Sequence, residues 1–117
     1  MSLFFAQASN RIFRTVTVSD AATITPDADS YDVVTVVLGG NRNIAAPTGT
    51  PYDGQKLIWV LIQDGPGSRI PVWNAAYRFS GGTAQVLTTT GGKTDYLGFH
   101  WNATASKWDC IAVALNL

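Results

Sequence analysis

The chain contains no glutamate; all eight of its acidic residues are aspartate. Helices draw on Glu, Lys, Leu and Arg, whereas the polar positions here go to Thr, Asn, Asp, Ser and Gly, which favour caps and turns. A single cysteine, Cys110, excludes an intrachain disulfide. A single histidine, His100, has no second imidazole with which to share a metal, and Cys110 and the Asp residues stand at unhelpful spacings, so no metal site is expected. Charged residues make up 14% of the chain, against roughly 25% in an average protein. Arg11, Arg14, Arg42, Lys56, Arg69, Arg78, Lys93 and Lys107 are dispersed and the net charge is zero, so the concentrated positive field of a nucleic-acid binder is missing. The apolar runs are no longer than strands, which argues against a membrane span. The opening Met1-Ser2-Leu3-Phe4-Phe5-Ala6 lacks the basic start and long apolar stretch of a signal peptide, so assembly in the cytoplasm of the producing cell is expected.

What is present points to strands. A chain of 117 residues buries roughly two-thirds of its unfolded surface, enough for one core without disulfides or metal. Thr and Val alternate through residues 14–18. Residues 30–38 and 55–63 are apolar on both faces: Val34, Val36 and Leu38 oppose Val33, Thr35 and Val37, and Leu57, Trp59 and Leu61 oppose Ile58, Val60 and Ile62. Such strands belong in the centre of a sheet or under cover on both sides. Asp64-Gly65-Pro66-Gly67 reads as a turn into an antiparallel partner at 69–73. Shorter strands are expected at 43–45, 77–79 and 85–90. Residues 93–117 should close as a hairpin around Asn102-Ala103-Thr104-Ala105-Ser106. About eight short strands broken by Gly, Pro and Asn-Asp clusters describe an all-β domain, an antiparallel β-sandwich or jelly-roll, over 14–117, preceded by an arm at 1–13.

No constellation for chemistry emerges. Ser106 and His100 lack a third group to activate a nucleophile, and the Gly pairs precede no helix that could hold a phosphate. Asp20, Asp27, Asp29, Asp32 and Asp53 sit in or beside turns, where Asp bonds its own backbone. Cys110 is expected as a small buried hydrophobe sharing a strand face with Trp108, Ala112 and Ala114. Trp59, Trp73, Trp101 and Trp108 all fall inside strands and are assigned to the core. Catalytic residues, cofactors and metals are therefore expected to be absent. The apolar ends, Leu3, Phe4 and Phe5 with Leu115 and Leu117, are candidate assembly contacts, because leaving a large apolar side chain in water forgoes roughly 1.5–3 kcal/mol.

An ordered series of motifs carries a resemblance. It runs Gly40-Asn41-Arg42-Asn43-Ile44-Ala45, Asp53-Gly54-Gln55, Ile62-Gln63-Asp64, Val72-Trp73, Tyr77-Arg78-Phe79, Gly81-Gly82-Thr83 and Leu87-Thr88-Thr89-Thr90. It ends in Lys93-Thr94-Asp95-Tyr96-Leu97, Trp101-Asn102 and Lys107-Trp108-Asp109. From Gly40 to Ala114 the chain resembles a module of bacteriophage tail fibres and related virion surface proteins. The resemblance implies a folding and assembly unit, a homotrimer in contact with other virion proteins such as the major capsid protein, and no catalytic residues. Tail fibres carry the module at the end of a long shaft, and no shaft repeat precedes Gly40 here. A capsid decoration (cement) protein on the head surface is therefore the first expectation. The alternative is a tail-fibre or tail-tip module that contacts a host glycan or protein through loops at 64–68 and 102–107.

Overall fold

Runs of Val, Ile, Thr and aromatic residues extend because side chains branched at Cβ pack well on a pleated surface. In the computed structural model, which describes residues 12–117, they form nine strands. These are β1 (Thr15–Thr17), β2 (Thr23–Ile24), β3 (Val33–Leu38), β4 (Arg42–Ile44), β5 (Lys56–Gln63), β6 (Pro71–Trp73), β7 (Tyr77–Arg78), β8 (Thr94–Asn102) and β9 (Lys107–Ala114). From β1 to β7 successive strands alternate between two sheets, and β8 and β9 stay in the larger one. A six-stranded sheet has the order β1-β3-β5-β8-β9-β7, and a three-stranded sheet the order β2-β4-β6.

The all-β expectation holds, but the ladders are mixed rather than antiparallel. β1, β3 and β5 pair in parallel, as do β2, β4 and β6. A parallel bridge between Asp27 and Thr48 adds a third point of contact between successive turns of chain. Residues 15–73 thus wind in coils, each laying one strand on the large sheet and one on the small. The expected antiparallel pairing of 56–63 with 69–73 does not form. The turn at Asp64–Gly67 rounds a corner into the other sheet instead of reversing the strand. Only β8 and β9 are antiparallel neighbours in the expected way, with Asn102 opposite Lys107 at the hairpin tip. The strand expected at 85–90 is absent, and 83–93 runs as irregular chain. Leu87 anchors that segment on the core, and the Thr88 N–H donates to the buried Asp95 carboxylate at 2.6 Å.

Both sheets close on one core. Val34, Val36 and Leu38 of β3 meet Leu57, Trp59 and Leu61 of β5, Leu97 and Phe99 of β8, and Ile24 and Ile44 of the small sheet. Trp73 is the aromatic hub, with ring centroids 5.0 Å from Tyr77, 5.4 Å from Phe99 and 5.5 Å from Phe79. Tyr77 donates its hydroxyl to the Ala45 carbonyl at 2.9 Å, and burial pushes its phenol pKa up.

Corners are fixed by ion pairs and by glycine. Four bidentate Arg–Asp pairs serve them: Arg14–Asp32 and Arg42–Asp20 tie successive coils, Arg78–Asp109 ties β7 to β9, and Arg69–Asp64 closes the turn between β5 and β6. The loops at 64–68 and 89–92 cross in contact. A side chain at Gly67, whose φ is 69°, would strike the Gly91 nitrogen at 2.7 Å, and one at Gly91 would strike the Gly65 carbonyl.

Two outcomes follow. Trp108 is 2% exposed and packs at a tilt against Trp101, so Trp108→Ala should cost about 3–5 kcal/mol in denaturant unfolding. A loss below about 1 kcal/mol would take this ring out of the core account. The hydrogen-bonded guanidinium groups of Arg42, Arg69 and Arg78 hold the carboxyls of Asp20, Asp64 and Asp109 below their ordinary pKa. A depressed folded-state pKa contributes stability above the unfolded value of about 3.9, and that stability is lost as pH falls through the folded values. The thermal midpoint should therefore stay level down to about pH 5 and fall below about pH 4, less steeply in Asp20→Asn. A midpoint that ignores acid would contradict these pairings.

Candidate functional site

Strand alternation sends one set of side chains of the large sheet inward and the other out. The inward set is closed: Val34, Val36, Leu38, Leu57, Trp59, Leu97 and Phe99 are all 0% exposed. The outward set forms rows across the ladders. Val33, Ile58, Gly98 and Ala112 lie in one row. Thr35, Val60, Tyr96 and Ala114 lie in the next. Val37, Ile62 and Thr94 make a third, which Leu117 extends by exchanging both backbone hydrogen bonds with Thr94 at 2.9 and 3.0 Å.

Thr15 and Thr17 of β1 continue the first two rows; the three rows carry no charge, and their polar side chains are Thr15, Thr17, Thr35 and Thr94. No described element covers them. Val60 in the middle row is 7% exposed and Val33, Ile58 and Ile62 are half-buried, while Val37 is 45% exposed, Tyr96 41% and Leu117 64%. An apolar face of this kind is unusual on a monomer. Charge begins at one end of it, where Lys56, His100, Asp109 and Arg78 share a row. Phe13 extends the apolar character there. With Asp32, Tyr52, Gly54, Lys56 and Ile58 it lines a hollow of about 290 Å³.

The expected assembly contacts divide. Leu117 lies on the rim of the uncovered face. Leu115 is half-buried, and alternation from Ala114 turns it toward the inner side beside Asp95. Leu3, Phe4 and Phe5 lie outside the described residues, as does most of the 1–13 arm; its last two residues, Ile12 and Phe13, are exposed.

The other residues weighed for chemistry lie in the ladders of the large sheet. His100 is half-buried between Lys56 and Asp109 in the ladder. Cys110 departs from expectation. A bulge leaves Ile111 unpaired, since Phe99 faces Cys110 while Gly98 faces Ala112. The extra residue inverts the alternation, so Cys110 shares the inner face with Trp108 and Val113, not with Ala112 and Ala114. Burial pushes its thiol pKa up, the opposite of an activated nucleophile. Asp95 is 2% exposed, and its carboxylate accepts the Thr88 and Asn116 N–H groups, fastening the irregular segment and the C-terminal end to β8.

Of the turn aspartates only Asp27 bonds its own turn as expected; Asp29 and Asp53 reach backbone far along the chain, and Asp20 and Asp32 pair with Arg42 and Arg14. Asp27 accepts from Asp29 N–H and the Ser30 hydroxyl, Asp29 from Thr50 N–H, and Asp53 from Ala103 N–H. Trp59 and Trp108 are buried, and Trp73 and Trp101 pack against the core. Among the described residues no group of three metal-ligating side chains assembles, and no helix is long and apolar enough to cross a membrane.

Comparison with models of known families, with curated proteins and with solved structures finds no match for this chain.

The uncovered face itself was foreshadowed by residues 33–38 and 56–63, which are apolar on both sides. That pattern calls for cover on both faces, and the fold supplies it on one.

Proposed function

We propose that this chain is a bacteriophage virion structural protein, a capsid decoration (cement) protein that oligomerises on the head surface and contacts the major capsid protein. The observation that carries the reading is the uncharged, uncovered outer face of the large sheet. Such a surface does its work by being buried in an assembly, and clamping shell subunits requires buried area and matching shape rather than chemistry. The module resemblance over residues 40–114 supports the same reading, and with it a homotrimer at the virion surface assembled in the host cytoplasm.

A second reading, a tail-fibre or tail-tip module that binds a host glycan or protein, is favoured by a different feature. Tyr52 is 63% exposed beside the hollow that also holds Asp32 and Lys56. An exposed ring flanked by polar groups is the chemistry that stacks on and hydrogen-bonds a sugar.

Cryo-electron microscopy of virions bearing a tagged copy of the chain separates the two. Tag density on the head lattice is the expected result. Density confined to the tail end would replace decoration with receptor binding, and its absence from purified virions would overturn both.

A further inference from the structure

We propose that the outer face of the large sheet is the surface through which copies of this chain pack on one another. The inference builds on the assembly reading above but concerns self-association alone, wherever the assembly resides.

The occupant is argued from the face. Its three apolar rows present no charge with which to select a charged partner, so neither a nucleic-acid backbone nor an anionic membrane is matched. A glycan would need convergent polar groups, and the rows offer only the hydroxyls of Thr15, Thr17, Thr35 and Thr94, spread along the face. What does fit is another apolar sheet of the same twist. Sheets pack face to face at about 10 Å with interdigitating side chains, and the twist of each sets their relative angle, so an identical sheet is matched in shape.

The extent is sufficient. Rows crossing β1, β3, β5, β8 and β9, with strands about 4.8 Å apart, cover roughly 24 by 20 Å, so joining two such faces removes on the order of 1,000 Å² from water. That reaches the threshold for a specific interface. Tyr96, in the middle row on a central strand, is placed to be the anchor, since aromatic residues at the centre of a patch carry most of the energy. The charged row of Lys56 and Asp109 lies at one end and forms a polar rim.

The test uses the full chain and reads mass by light scattering across the micromolar range. The unsubstituted protein should be a defined oligomer. Tyr96→Lys should weaken association at least about a hundredfold, because it buries an unpaired charge. Val37→Thr, isosteric and already half-exposed, guards against loss of the fold and should weaken association measurably with an unchanged near-ultraviolet spectrum from the tryptophans. Val86→Lys is the control: Val86 is 80% exposed and lies off the face, so this variant should assemble normally. Two copies dissolved by the face variants support the inference, and three copies, which a self-complementary pair of sheets cannot close, overturn it. A monomer at all concentrations, or an oligomer indifferent to both face variants, overturns it. Loss of assembly in Val86→Lys alone would place the interface elsewhere and overturn it as well.

Discussion

The structure depends on the in-register parallel stacking of β1, β3 and β5. That stacking sets Val16 beside Val34 and Val34 beside Trp59, and antiparallel pairing of β5 with β8 adds Leu97 to the row. Each coil alone has too little apolar surface to close a core. Stacked, the inward positions become one continuous interior, as in other coiled arrays where each unit buries its face on the next. The hydrogen-bonded ladder fixes which side chains face in, because a slip of one residue would exchange Val34, Val36 and Leu38 for Val33, Thr35 and Val37.

That same constraint produces the surface. A ladder with period two cannot bury both sets of side chains with only one layer beside it. β3 and β5 are apolar on both sets, so closing the core leaves Val37, Ile58 and Ile62 turned the other way. Solvated sheet faces favour polar alternation, and β1 shows it, with Thr15 and Thr17 outward and Val16 inward. The outer face of the central strands therefore lacks the polar alternation that β1 turns outward.

Much of this was legible in residues. The strand cores, the inward placement of Trp59 and Trp108, the closing hairpin and the turn role of Asp27 all follow from periodicity and turn chemistry. Strand direction did not. A run such as Lys56–Gln63 reads the same whether its neighbour is parallel or antiparallel, and Asp64–Gly67 has the residues of a turn without stating whether the chain reverses or rounds a corner. The continuous apolar runs were in fact the signature of parallel strands, which are commonly buried on both faces. The Cys110 face was misplaced because a bulge adds one residue without a sequence mark. The Arg–Asp pairs span up to 31 positions, as in Arg78–Asp109, beyond the reach of local pattern. Of the expected assembly contacts, Leu117 belongs to the exposed face only because the chain end pairs back onto Thr94.

The winding of the chain is the central claim, since both the core and the outer face derive from it. Nuclear Overhauser contacts between backbone protons test it most directly. The account predicts contacts joining β3 to β5 in parallel register, with Val34 near Trp59 and Val36 near Leu61, and β4 to β6, with Asn43 near Val72. Contacts joining residues 56–63 to 69–73 as an antiparallel hairpin would contradict it.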